Sequence, residues 1–111
     1  MSVEQTKVID FVGIEKTTGN LILTVSDHLD WSQDEQERHI ELLQQKLNTY
    51  LSYIEGGQML KDYPNAHSCK CVISIVGKSD PSGDGVRFLD AVRETLGQAG
   101  YELRLELLPS E

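Results

Sequence analysis

Cysteine is scarce in this chain of 111 residues, and the two present, Cys69 and Cys71, stand one residue apart, so they cannot staple distant parts of a fold. In a reducing compartment they stay thiols. Basic side chains are also few: 10 against 18 acidic ones, a formal net charge of −8 that repels phosphate backbones and anionic lipid headgroups. Lys16, Lys46, Lys61, Lys70 and Lys78 are scattered, and Lys70, Arg87, Arg93 and Arg104 are diluted by acids, so no nucleic-acid partner and no membrane partner is expected. Long apolar runs are missing too. The longest, Cys71 to Val76, is far short of a membrane span. The opening residues MSVEQTKV lack the basic start and apolar stretch of a signal peptide, which leads to an expected cytoplasmic location.

What remains is ordinary globular composition, 39% apolar and 25% charged, at a length that suits one domain over residues 1–111. Val8 to Ile14 and Leu21 to Val25 are β-rich and flank Thr17-Thr18-Gly19, a turn whose glycine can take positive φ, so a hairpin is expected. If Lys16 faces Asn20, Phe11 pairs with Val25. Ile9, Phe11, Leu21, Leu23 and Val25 then share the core face, leaving Val12, Ile14 and Ile22 on the other.

Ser32 and Glu35 form the S-x-x-E pattern of a capping box, opening a helix expected from Ser32 to the glycines Gly56 and Gly57. Ile40, Leu43, Leu47, Tyr50, Leu51 and Ile54 make its inner stripe. Leu42 and Tyr53 lie on the opposite side. Gln58 to Ser68 reads as loop, with Pro64-Asn65 as a turn signal. Lys70 to Gly77 reads as a central strand, then Asp80 or Ser82 caps a second helix buried through Phe88, Leu89, Val92, Leu96 and Ala99, with Pro81 in its first turn. Tyr101, Leu103, Leu105 and Leu107 alternate with Glu102, Arg104 and Glu106 in a last strand.

The fold class expected is α+β in the order β-β-α-β-α-β: a four-stranded mixed sheet with two helices on one face. The open face would still show Val72 and Val76 beside the hairpin residues. A half-apolar surface of that kind is often hidden by self-association, so a homodimer is expected, with Leu42, Tyr53, Val72 and Val76 as the candidate interaction surface.

No cluster has the specificity of a catalytic, cofactor or metal motif. His67, Cys69 and Cys71 offer imidazole and thiolates, but no second pair of ligands follows and both cysteines share the parity of Ile73 and Ile75. Asp27, His28, Asp30, Asp34, Glu35 and Glu37 crowd the start of the long helix, where carboxylates satisfy the helix dipole, and the order of a calcium loop is absent. KSDPSGDG at positions 78–85 enters a helix N-terminus without a Walker or G-x-G-x-x-G pattern, and its aspartates would repel phosphate. Neither His28 nor His39 is visibly coupled to a nucleophile.

The run Leu21 to Trp31, the core of the long helix from Leu43 to Gln58, and Gly85-x-Arg87-Phe88-Leu89 resemble a family of small bacterial proteins of unknown function. Ser26-Asp27-His28-Leu29-Asp30-Trp31 is the most distinctive part, and Cys69 and Cys71 lie outside the pattern. The resemblance implies a stand-alone bacterial domain, and with no established activity, cofactor or catalytic residue in the family it transfers no site. The leading expectation is therefore a non-enzymatic interaction or binding module that self-associates. Two alternatives stand beside it: a small metal-binding protein or enzyme centred on Asp27, His28 and Asp30, and an acidic immunity-type inhibitor of a basic partner, motivated by the charge.

Overall fold

The computed structural model describes residues 3–108, apart from the side chains of His67 and Ser68. Strands β1 (Phe11–Ile14) and β2 (Leu21–Asp27) lead into the long helix α1 (Gln36–Glu55). A five-residue helix α2 (Gln58–Asp62) and a 3₁₀ turn (Pro64–Ser68) follow, then β3 (Cys71–Gly77), α3 (Gly83–Gln98) and β4 (Glu102–Leu107). The strands lie in the order β1-β2-β3-β4. β1 runs antiparallel to β2, and β2, β3 and β4 are mutually parallel. Both crossovers step the same way along the sheet, so, being right-handed, they put α1 and α3 on one face. The fold is α+β with a mixed sheet, as the hydropathy pattern implied.

That covered face carries Leu21, Leu23, Val25, Cys71, Ile73, Ile75 and Leu103, all buried against Leu43, Leu47, Tyr50 and Ile54 of α1 and Leu89 and Leu96 of α3. The central strand β3 is buried on both sides, since Val72 and Ser74 on the open face are also covered. Across that face Arg104 reaches both Glu102 (2.7 Å) and Glu15 (3.6 Å), while Lys70 holds Glu102 from the other side (3.2 Å). The hydrogen bond from Arg104, then that from Lys70, keeps Glu102 below the usual carboxylate range.

The hairpin differs from expectation by one residue. Glu15 N–H donates to Asn20 O and Gly19 N–H to Glu15 O, so the loop is Lys16–Gly19, closed by Gly19 at φ 75° and by Thr18 Oγ1 donating to Glu15. Phe11 therefore pairs with Thr24 and Val12 with Leu23. A slip of one residue turns every side chain over. Phe11, expected in the core, is 64% exposed on the open face, and Val12, expected outside, packs against the core. Replacing Phe11 by Thr is expected to change unfolding free energy by no more than about 0.5 kcal/mol, while Val12→Ala costs on the order of 1 kcal/mol. Urea titrations that returned the reverse order would restore the other register.

Three further boundaries moved. α1 begins at Gln36 with Glu35 as N-cap and no side-chain cap, so the Ser32/Glu35 capping box does not form; Ser32 supplies only its carbonyl, to the amides of Glu35 and Gln36. The segment read as loop contains α2 and the 3₁₀ turn, because Gly57, at φ 89°, ends α1 and lets the chain re-enter helix at once. Ser82 caps α3 by accepting from Gly85 N–H, which leaves Pro81 before the cap and not in the first turn.

Candidate functional site

The carboxyl ends of β2 and β3, where ligands of parallel sheets usually bind, carry a histidine–carboxylate pair. Asp27 is the last residue of β2 and His39 lies one turn into α1, with Nε2 2.6 Å from Asp27 Oδ2 and both side chains buried. His39 Nδ1 is 2.8 Å from the carbonyl oxygen of Asp30. A carbonyl only accepts, so Nδ1 carries a proton, and the remaining ring nitrogen is spent on the carboxylate. Asp27 Oδ1 in turn accepts from Leu29 N–H at 3.2 Å.

Trp31 closes the site. Its ring stacks on His39 at 3.7 Å with planes 25° apart, and its other edge lies on α3, where a Cβ at Gly85 would come within 2.7 Å of the indole. Glycine at 85 is therefore a condition of the close approach. With both imidazole nitrogens occupied and the ring covered, the pair has no free base to offer a substrate; it ties the loop 27–31 to both helices.

A second buried cluster holds the chain before β1. Lys46 is 0% exposed, and its Nζ donates to Gln5 O (2.8 Å), Val8 O (2.6 Å) and Asp10 Oδ1 (2.7 Å), which uses all three of its donors. Asp10 Oδ2 accepts from Ser26 N–H, and Asp10 N–H donates to Tyr50 Oη, which donates onward to Thr24 O. Burial, with the Asp10 carboxylate nearby, pushes the Tyr50 phenol far above its ordinary range. The same segment is pinned by Val3 N–H on Ser26 O and by Thr49 Oγ1 on Thr6 O. At the surface Glu4 meets Arg38 and His28, each at 3.0 Å, and the Arg38 hydrogen bond holds its carboxyl below the usual range.

Besides Phe11 and Ile14 on β1, apolar surface is exposed in a groove between the helices and along β4. A groove of about 270 Å³ runs between α1 and α3, lined by Leu47, Leu51, Phe88, Val92 and Leu96 with Gln44, Asn48 and Thr95 at its edges. The outer edge of β4 pairs with no strand among the described residues, and beside it Leu107 is 43% and Leu108 50% exposed.

A family model matches residues 1–109. The chain belongs to DUF6572, a family of unknown function. No curated protein and no solved structure matches it. No helix among the described residues is long and apolar enough to cross a membrane.

In this DUF6572 chain the residues singled out from sequence scatter. Asp27 turns inward to His39, His28 turns outward to Glu4, and Asp30 accepts from Ser32 N–H, a bond that lowers its pKa, so the three do not converge. Among the described residues no three metal-ligating side chains gather. Cys71 lies buried beside Met59, and burial raises its thiol, with Cys69 adding to the shift. The side chain of His67 is outside the described residues. Leu42 and Tyr53 are half-buried and pack against the core, Tyr53 donating to Asp62, while Val72 is fully buried and Val76 half-buried.

Sequence reasoning weighed His39 only as a base and Lys46 only as one of several scattered charges, and missed that both are buried with a carboxylate partner. The signal was there: 39, 43, 46, 47, 50 and 54 form one helical stripe, and two of its six members are polar. A polar residue at an inward position needs a buried partner.

Proposed function

We propose that this domain is a non-catalytic protein-interaction module whose first partner is a second copy of itself. The observation that carries the reading is the outer edge of β4, a row of backbone donors and acceptors that pairs with no strand among the described residues and is flanked by the exposed Leu107 and Leu108. Edge strands of monomers are blunted by charged side chains, short length, a bulge, a proline or a covering element. β4 has Glu102, Arg104 and Glu106 on its open face, but its other face ends in leucines. The candidate chemistry points the same way, because Asp27, His39, Asp10 and Lys46 are buried and spent on one another. Of the surfaces read from sequence, Val72 is covered and Val76 half-buried, while Leu42 and Tyr53 are half-buried on the flank of α1 that faces the chain before β1 and α2, away from β4. The reading places the chain in a reducing cytoplasm, where Cys69 and Cys71 remain thiols.

Light scattering over a concentration series tests it. The parent is expected at twice the 12.5 kDa chain mass, and the double variant Leu107→Lys, Leu108→Lys at the single mass. A parent that stays at the single mass throughout overturns the proposal.

A further inference from the structure

We infer that two copies join β4 to β4 antiparallel about a twofold axis through Leu105, giving one eight-stranded sheet in which the outer flank of α3 packs on its symmetry mate. This rests on the self-association proposed above and specifies its geometry.

An edge joined to its own copy antiparallel has its twofold normal to the sheet. That operation keeps all four helices on one side, so opposed residues share a face and the axis passes through a residue of β4. Charge removes one register, and backbone geometry with the apolar surface left over removes another. Centred on Arg104, the pairing sets Arg104 against Arg104 and Glu102 against Glu106, like charges in every opposed pair on the open face. Centred on Leu103, it opposes Glu102 to Arg104, but it brings Gly100 into the ladder, whose φ of 88° breaks extended backbone, and leaves Leu107 and Leu108 uncovered. Centred on Leu105, it opposes Arg104, which Glu102 and Glu15 already hold within the chain, to the second copy's Glu106 twice over, and Glu102 to Leu108. On the helix side Leu103 meets Leu107 and Leu105 meets itself, which continues the core across the seam.

The helices give an independent check. In α3, Gly85, Leu89 and Leu96 are buried and Phe88, Ala91, Val92 and Thr95 line the groove toward α1. At 100° per residue the remaining flank is Val86, Asp90, Arg93 and Gly97, facing the β4 side. Val86 is 46% exposed there, and Arg93 and Asp90 pair within the chain at 2.9 Å. Strands lie about 4.8 Å apart, so α3 above β3 and β4 and its mate above the joined edge are about 9.6 Å apart, inside the 8–10 Å of packed helices. The heights agree as well. The midpoint of Asp90 and Arg93 lies about 10 Å back from Gln98 along the helix, and Leu105 about 10 Å along the strand from Glu102. One axis then passes both, crossing Asp90 with the second copy's Arg93 and setting Val86 over Gly97, where the missing side chain leaves room.

The test is a charge swap. Arg104→Glu alone and Glu106→Arg alone each oppose two like-charge pairs and are expected to weaken dimerisation by about tenfold or more. An equimolar mixture of the two variants restores opposite charges at every position and is expected to form the heterodimer at near-parent affinity. Val86→Arg, an exposed helix substitution that leaves the monomer fold intact by circular dichroism, is expected to weaken the dimer by the same order. A parent that is monomeric overturns the self-association itself. A dimeric parent whose single variants dimerise as tightly, or whose mixture gains nothing, overturns this register, and a dimer indifferent to Val86→Arg removes the α3 contact.

Discussion

Lys46→Met is expected to destabilise the protein by about 3–5 kcal/mol, the cost of removing one partner from a buried charge pair. The replacement follows the side chain out to Cε, with sulfur in place of the δ-methylene, and removes the ammonium, so most of the packing of the stem is conserved. What is lost is the set of donors that Asp10 Oδ1, Gln5 O and Val8 O accept from. Against the 5–15 kcal/mol typical of a whole domain, that leaves a protein close to unfolding. The effect has a location as well as a size. Hydrogen exchange at the amides of Asp10 and Ser26, held by Tyr50 Oη and Asp10 Oδ2, is expected to rise first, because these bonds depend on the placement of Asp10. Adding Asp10→Asn removes the stranded charge, so the double variant is expected to lose less than the two singles together, by about 0.5–3 kcal/mol. Urea unfolding checks it; additive losses, or a single-variant loss below about 1 kcal/mol, would show that the pair is not a coupled buried unit.

His39→Ala is the second large effect, also about 3–5 kcal/mol, since the Asp27 side chain is left buried without its hydrogen-bond partner. Here a spectroscopic reporter is built in. Trp31 is the sole tryptophan and lies on the imidazole, so its emission is expected to shift to the red as water enters the vacated space. Asp27→Ala is expected to destabilise through the same pair, and the two substitutions together to cost less than their sum. The prediction fails if Trp31 emission is unchanged in a folded His39→Ala protein, because the indole would then be held by Gly85 and α3 alone. An intact fold with full stability would return the pair to the class of exposed groups free for chemistry.

The hydropathy pattern made the element order legible because period is a local property. Leu103, Leu105 and Leu107 alternating with Glu102, Arg104 and Glu106 require a strand with one dry face, and the stripe through Leu43, Leu47, Tyr50 and Ile54 requires a helix lying on it. The hairpin register was not legible. Glu15, Thr18 and Gly19 choose between a three- and a four-residue loop by hydrogen bonds worth little each, and both faces of Val8 to Ile14 are apolar, so the pattern does not arbitrate. Leu42 and Tyr53 read as an outer surface because the sequence does not announce how the chain before Phe11 and the short helix α2 fold back; their half-burial belongs to tertiary packing.

By itself, then, the sequence determined an acidic α+β chain of alternating strands and amphipathic helices in the order β-β-α-β-α-β. Only the tertiary structure decided that Asp27 belongs with His39 and not with His28 and Asp30, and that Lys46 reaches Asp10 across 36 positions. The reason is physical. Periodicity is written in neighbouring residues, but the partner of a buried charge is fixed by which strand end and which helix turn come together, and that depends on strand order, register and the path of the connecting chain.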